Sequence, residues 1–139
     1  MTNFSSCNRL RIMHVHTFYE DYLKNFYARH RELKEASFNV ISRALFKDGF
    51  SGIHMPAMYL TDCTTMLVIS NDLISQCAWA VENGVNHTPQ WQFDTLRAQI
   101  AAFRPDVLYL VNCIKYDAKF LRTLDTPIPL VAGWRAADV

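Results

Sequence analysis

Two histidines near the start of the chain have the residue type and spacing for proton-transfer chemistry. His14 and His16 lie two positions apart in the segment RIMHVH, so in a β-strand both side chains point to the same face. His16 stands at the end of this segment, where an imidazole can act as a base or orient a sugar hydroxyl group. His16 is therefore the best candidate for a catalytic residue. The alternative for both histidines is a structural role, with the ring held by hydrogen bonds.

Polar and aromatic residues at three predicted strand ends have the chemistry of a sugar-binding surface. Thr17 and Tyr19 follow His16 closely, and Asn71 and Asn112 each follow a separate apolar run. In an open parallel sheet, the carboxyl ends of the strands border the ligand crevice. The predicted acceptor-binding residues are accordingly His16, Thr17, Tyr19, Asn71 and Asn112.

These strand ends also have a plainer interpretation. Phe18 and Tyr19 can anchor the loop on the core, and asparagine at a strand end often serves as a turn former. Asp72 directly follows Asn71 and is predicted to be a helix N-cap, because its carboxylate can accept bonds from free amide groups.

The sequence carries no signature of a metal site or a nucleotide-binding loop. The cysteines Cys7, Cys63, Cys77 and Cys113 form no C-x-x-C pair, and zinc sites normally use such closely spaced ligands. Neither a G-x-G-x-x-G turn nor a G-x-x-x-x-G-K-[ST] loop occurs, so the dinucleotide and P-loop fingerprints are absent. We expect no metal site and no cofactor in this chain, and reduced cysteine thiols.

Four apolar segments are predicted to form the strands that position these residues. They cover about residues 10–16, 65–70, 107–112 and 128–132. The run from Val107 to Val111 has no polar alternation, which is typical of a strand covered on both faces in a parallel α/β sheet. We predict parallel strands, with the first strand between the second and the third.

Helical periodicity predicts the segments between the strands. Helices are expected over residues 20–31, 37–47, 54–62, 73–83, 93–103 and 117–124. Ser37 is the predicted N-cap of the second helix, and Gly49 its left-handed end. Pro105 disfavours α geometry at Arg104 and should end the fifth helix there. The helix over residues 73–83 is predicted to bury one apolar face, formed by Leu73, Ile74, Cys77, Ala80 and Val81.

The alternation of strands and helices predicts the fold class. A chain whose strands alternate with helices, and whose strands are apolar, is typical of an α/β protein with helices on both faces of its sheet. We predict a Rossmann-like three-layer domain with a mostly parallel sheet of at least four strands.

The composition favours one ordered domain over residues 1–139. Of the 139 residues, 50% are hydrophobic and 19% are charged, and the formal net charge is +1. This balance argues against disorder and lacks the basic excess of nucleic-acid-binding proteins. No apolar run approaches the roughly 18 residues that a membrane span needs, and the first residues lack a secretion signal. We expect a cytoplasmic protein with no nucleic-acid partner and no transmembrane segment.

Four stretches, taken together in their order and spacing, resemble the N-terminal domain of a bacterial glycosyltransferase-like family. They are RIMHVHTFYEDYLKNFYARH, DGFSGIHMPAMYL, MLVISNDLISQCAWAVENG and FRPDVLYLVN. The family comprises two-domain GT-B enzymes described as spore-maturation or group-1-like glycosyltransferases. The resemblance covers most of residues 10–130.

The resemblance implies the acceptor side of a sugar-transfer reaction. In GT-B enzymes the C-terminal domain chiefly holds the nucleotide-sugar donor, and the N-terminal domain chiefly contacts the acceptor. Only the N-terminal pattern is present here. We therefore expect a sugar or glycan acceptor as ligand, a donor-binding domain that this chain lacks, and no activity of the chain alone. A nucleotide-sugar donor is implied only for a full-length enzyme.

Two expectations concern partners and the rival function. A chain that ends at Val139 should leave a sheet edge without cover, so we expect a homodimer that uses the region around residues 128–134. The alternative to a glycosyltransferase is a non-enzymatic α/β module that binds a ligand or another protein. A receiver domain is disfavoured, because Asn112 stands where its phosphorylatable aspartate would be needed.

Overall fold

The computed structural model describes residues 9–53 and 59–134 of the chain. Its strands are β1 (Arg11–His16), β2 (Thr64–Ile69), β3 (Val107–Leu110) and β4 (Leu130–Gly133). Its α-helices are α1 (Glu20–Arg29), α2 (Phe38–Asp48), α3 (Leu73–Glu82), α4 (Trp91–Phe103) and α5 (Ala118–Leu121). Short 3-10 turns cover Arg31–Glu35 and Phe50–Gly52. The helix predicted over residues 54–62 falls largely on residues 54–58, which lie outside the described part.

The strands form one parallel sheet in the order β2-β1-β3-β4. The predicted α/β class, the parallel pairing and the position of the first strand between the second and third are confirmed. β1 takes the centre because it is buried on both faces, with Met13 and Val15 on one face and His14 on the other. In this register His14 lies between Leu67 of β2 and Tyr109 of β3.

Helices cover both faces of the sheet and make three layers. On one face α4 and α5 enclose a core that contains Met13, Leu108 and Ile100. On the other face α1 and α2 pack over β1 and β2, with Phe26 and Ile41 completely buried. Each large apolar side chain buried in this way contributes about 1.5–3 kcal/mol to folding.

The second face of the sheet is only partly covered at β3 and β4. Leu108 and Leu110 are buried, but Val107 and Tyr109 point the other way and are half-buried. The prediction that this strand is covered on both faces is therefore wrong. The reason is topological. Helices α1 and α2 belong to the crossover that connects β1 to β2, so they cover the sheet over these two strands and leave β3 and β4 less covered. β4 is still more open, and Leu130 is 55% exposed.

Helix α3 is rotated relative to the prediction. Leu73 and Val81 were expected inside but are 48% and 82% exposed, whereas the predicted burial of Ala80 is confirmed. Ser75 and Gln76 are buried instead, because they bond to the strand–helix junction. The Ser75 hydroxyl donates to the Asp72 carbonyl at 3.3 Å, and Gln76 Nε2 donates to the Ile69 carbonyl at 3.4 Å.

The predicted helix ends are mostly confirmed. α2 ends at Gly49 in the left-handed conformation, with φ at 70°, and α4 ends before Arg104, which is also left-handed. Asp72 caps α3 as predicted. Ser37 stands at the start of α2 but makes no cap bond with its side chain. Glu82 at the end of α3 takes that role, since its carboxylate accepts the Phe38 N–H at 2.8 Å.

Across residues 9–53 and 59–134, no helix has both the length and the apolar character needed to cross a membrane.

Candidate functional site

A cavity of about 310 Å³ opens beside the carboxyl ends of β1, β3 and β4. It lies on the sheet face that α1 and α2 leave partly uncovered. The described residues that line it are His16, Ser51, Gly52, Ile53, Tyr109, Val111 and Trp134. Open parallel sheets bind ligands at this end of their strands, so this cavity is the candidate functional site.

His16 supplies the chemically versatile group of the cavity. It is 8% exposed, and its Nε2 has no hydrogen-bond partner among the described residues. Its backbone carbonyl accepts the Ser70 N–H at 2.8 Å and the Ser70 hydroxyl at 3.1 Å. These bonds fix the backbone at the end of β1 and do not engage the imidazole.

Burial keeps the His16 ring neutral. Desolvation, and secondarily the charge of nearby His14, lowers the pKa of His16 from 6.5 to about 4. The neutral ring has one N–H donor and one nitrogen acceptor. A base with so low a pKa takes up a proton poorly at neutral pH. In this state His16 is better suited to orienting a ligand hydroxyl group than to holding its proton.

Two aromatic residues from different strands border the same space. Tyr109 of β3 is half-buried, and its ring meets the edge of His14 at a centroid distance of 5.8 Å. Trp134 is 57% exposed, although its backbone N–H extends the β3–β4 ladder by donating to the Leu110 carbonyl at 3.1 Å. The cavity therefore has an exposed indole surface held on a fixed backbone.

The turn after α2 closes the cavity with an unusual backbone. Ser51 has φ at 58°, between Gly49 at 70° and Gly52 at 67°. A residue with a side chain pays about 1–2 kcal/mol for this conformation. Phe50 holds the turn in place, because its ring stacks on Tyr22 at 3.8 Å. Strain of this kind clusters at functional sites, and here it places a hydroxyl group in the cavity wall.

Asn71 and Asn112 meet the chain where it leaves β1. The Asn71 side chain bonds to both backbone polar groups of Phe18, at 2.9 and 2.7 Å. The Asn112 Nδ2 donates to the Thr17 hydroxyl at 3.3 Å, and its Oδ1 accepts the Lys115 N–H at 3.1 Å. The three strand ends thus converge, as expected, on the residues that follow His16.

The predicted acceptor-binding residues differ in their positions relative to this cavity. Among them, only His16 is a lining residue of the 310 Å³ cavity. Tyr19 is 78% exposed, and Thr17 and Asn112 bond each other. The anchoring role considered for Phe18 is confirmed, since its side chain is 5% exposed. Ligand contact by all five predicted residues, His16, Thr17, Tyr19, Asn71 and Asn112, stays a prediction.

The described residues include no group of three or more histidine, cysteine or acidic side chains placed to hold a metal ion. Comparison with protein-family models, curated proteins and solved structures gives no match. The α/β architecture is therefore established by the sheet itself, and the glycosyltransferase resemblance stays a prediction.

Sequence reasoning did not find Tyr109, Ser51 and Gly52 as members of the site. For Tyr109 the signal was present but incomplete, because its strand face depends on the register that pairs it with His14. For Ser51 the only signal was the pair of flanking glycines, Gly49 and Gly52. For Trp134 the only signal was its position shortly after the last predicted strand.

Proposed function

We propose that this chain binds a sugar or glycan acceptor, as the acceptor-side domain of a glycosyltransferase-like protein. The observation that carries this function is the 310 Å³ cavity, which His16, Tyr109 and Trp134 line together. A sugar presents C–H groups to aromatic surfaces and hydroxyl groups to polar atoms. Binding sites typically combine an apolar wall with a few such convergent polar groups.

Each lining side chain has a role in this proposal. The indole of Trp134 stacks on the C–H face of the sugar, and the hydroxyl groups of Tyr109 and Ser51 bond its hydroxyls. His16 orients the hydroxyl that attacks the donor. In the transfer, that oxygen forms a bond to the anomeric carbon while the bond from this carbon to the donor phosphate breaks, and the hydroxyl proton passes to the departing nucleoside diphosphate.

The nucleotide-sugar donor is held, in this proposal, by a separate donor-binding domain. The chain alone should then show no transfer or hydrolysis when it is incubated with common nucleotide sugars and oligosaccharides. We place the protein in the cytoplasm, which is supported by the free thiols of Cys63, Cys77 and Cys113. Robust turnover by the isolated chain would contradict this position of the donor site.

Sugar binding can be tested with a panel of soluble oligosaccharides. We expect at least one to shift the backbone amide NMR signals of Gly52, Val111 and Trp134, and Trp134→Ala to weaken binding about tenfold. Trp91→Ala is the matched control, because Trp91 lies at the start of α4, outside the lining of this cavity. Equal losses in both variants, or signals that shift only elsewhere, would refute the proposal.

A second candidate function is docking of another protein along β4. This strand lies at the edge of the sheet, and Leu130 and Val131 are 55% and 38% exposed. Exposed edge strands are templates for pairing with another chain. A non-enzymatic interaction module, or a homodimer joined at this edge, would use that surface.

A further inference from the structure

A second cavity, of about 190 Å³, lies between α2 and the sheet at β1 and β2. It shares Ile53 with the first cavity, but otherwise its described lining is different. Phe38, Met66 and Leu67 provide apolar walls, and His14, Ser42 and Arg43 provide polar groups. An apolar cavity of about 150 Å³ holds a benzene molecule, so this space is large enough for one six-membered ring with small substituents.

His14 is an unsatisfied polar group in the wall of this cavity. It is 7% exposed, and neither Nδ1 nor Nε2 has a hydrogen-bond partner among the described residues. Tyr109 meets the ring only by an aromatic edge contact, and burial lowers the pKa of His14. Buried side-chain nitrogens are normally paired. Both nitrogens are also shielded from the cavity itself, so a ligand reaches one of them only when the ring turns, and an unpaired imidazole beside a cavity gains a hydrogen bond by doing so.

The described lining of this second cavity carries positive charge, from Arg43, and no negative charge. Arg43 is exposed, and it makes no hydrogen bond or ion pair with any residue in the described part of the chain. The described lining residues include no aspartate or glutamate. The Ser42 hydroxyl is next to Arg43 in the sequence and lines the same space. A guanidinium group with a neighbouring hydroxyl is suited to bind a carboxylate.

We propose that this cavity binds a small hydroxy-aromatic carboxylate. The carboxylate pairs with Arg43, and the ring packs between Phe38 and Met66. The hydroxyl group donates to a His14 nitrogen after the imidazole has turned toward the cavity. This site is independent of the acceptor cavity, because neither Trp134 nor His16 takes part in it.

The test uses the full chain and three probes that differ by one group. 4-Hydroxybenzoate carries both recognised groups, benzoate lacks the hydroxyl, and 4-methylphenol lacks the carboxylate. Calorimetry and amide NMR should give the tightest binding for 4-hydroxybenzoate, with shifts at Ser42, Arg43 and Leu67. We expect benzoate and 4-methylphenol each to bind about tenfold more weakly.

Matched variants separate the two recognised groups. Arg43→Gln should weaken 4-hydroxybenzoate binding about tenfold, whereas Lys47→Gln on the same helix, outside the described lining, should leave it unchanged. His14→Phe should remove the preference for 4-hydroxybenzoate over benzoate. Because His14→Phe can also disturb folding, Arg43→Gln serves as the decisive variant.

Several results would overturn the proposal. One is the absence of NMR shifts with all probes at millimolar concentration. Another is an equal effect of Arg43→Gln and Lys47→Gln, which would indicate diffuse surface charge. A third is a set of shifts confined to Gly52, Val111 and Trp134, which would place the probe in the acceptor cavity.

One result would support two separate sites. Trp134→Ala should lose oligosaccharide binding while its binding of 4-hydroxybenzoate stays unchanged.

Discussion

Asn71 holds both backbone polar groups of Phe18. Its Nδ2 donates to the Phe18 carbonyl at 2.7 Å, and its Oδ1 accepts the Phe18 N–H at 2.9 Å. The two residues are 53 positions apart in the chain, and they join the end of β2 to the loop that leaves β1. The side chain of Phe18 is buried beside this link. The link therefore fixes the backbone immediately after His16.

The first prediction concerns this link. Asn71→Ala removes one donor and one acceptor and should lower the free energy of unfolding by about 1–3 kcal/mol. Asn71→Asp keeps the acceptor but places a carboxylate against the Phe18 carbonyl, so it should be no better. Urea denaturation measures both. Asn39→Ala, on the exposed side of α2, should change stability by less than about 0.5 kcal/mol. A similar loss in Asn39→Ala would contradict the link.

The second prediction concerns Tyr27, whose hydroxyl donates to Asp72 Oδ2 at 2.5 Å in the buried interior. Burial raises the pKa of Asp72, and this bond opposes the rise. Tyr27→Phe should raise that pKa further and cost about 1–3 kcal/mol at neutral pH. The loss should shrink as the pH falls and Asp72 becomes protonated.

Denaturation of the wild type and Tyr27→Phe at several pH values measures this trend. Tyr22→Phe is the control, because Tyr22 bonds Asp48 at the surface at 2.7 Å, and its loss should be below about 1 kcal/mol. A loss in Tyr27→Phe that grows on acidification would be inconsistent with a buried, bonded Asp72.

The third prediction is that the burial of neutral His16 makes part of the free energy of unfolding depend on pH. Its pKa is lowered to about 4 in the fold, so below pH 6.5 the unfolded chain binds protons that the folded chain does not. The contribution of His16 to the free energy of unfolding is therefore complete above pH 6.5 and is lost as the pH falls toward 4. Between pH 7 and pH 5 this share amounts to about 2 kcal/mol.

Urea denaturation at these two pH values measures it. His16→Gln should lose about 2 kcal/mol less than the wild type over this interval, whereas His87→Gln, at an exposed ring, should follow the wild type. An identical pH dependence in the wild type and His16→Gln would show that His16 is not held neutral by burial.

The fourth prediction concerns the close approach of β4 to the loop after β3. A Cβ added at Gly133 would lie 2.9 Å from Cys113 Cβ, which is closer than packed carbon atoms allow. Gly133→Ala should cost about 1–3 kcal/mol. Cys113→Ala keeps that Cβ and should not relieve the loss, whereas Cys113→Gly in the same background should relieve part of it.

Thermal or urea denaturation of this double-mutant set gives the coupling energy. Gly84→Ala is the comparison, because a Cβ there meets nothing within 4 Å and only the positive φ of 67° is penalised. Its cost of about 1 kcal/mol should be unaffected by Cys113→Gly. Coupling of the same size at both glycines would rule out the contact.

The fifth prediction concerns association along β4. We expect the chain to dimerise by pairing of this edge strand, since a two-fold arrangement is the commonest closed assembly. Leu130→Lys places a charge on the exposed face and should shift the equilibrium to monomer. Val81→Lys, at an apolar residue on α3 that is still more exposed, should not. Sedimentation equilibrium over a range of protein concentrations measures the monomer–dimer equilibrium. If the wild type is a monomer at every concentration, this edge is not a dimer interface.

Much of the secondary structure followed from local sequence features. The apolar segments predicted the strands, and the two-residue spacing of His14 and His16 placed both rings on one face. Asp72 and Gly49 marked helix ends where the structure has them. Such features are local, because capping, turn geometry and side-chain alternation depend on residues only a few positions apart.

Tertiary structure alone decided the faces and the site. Local periodicity favoured burial of Leu73 and Val81, but bonds between Gln76 and Ile69 and between Ser75 and Asp72 turned α3 the other way. The cavity joins His16 to Trp134 across separate strands. Its composition depends on strand order, on register and on which part of the sheet α1 and α2 leave open. These are long-range properties, set by competition among packing arrangements of the whole chain, so the sequence predicted His16 but not its neighbours.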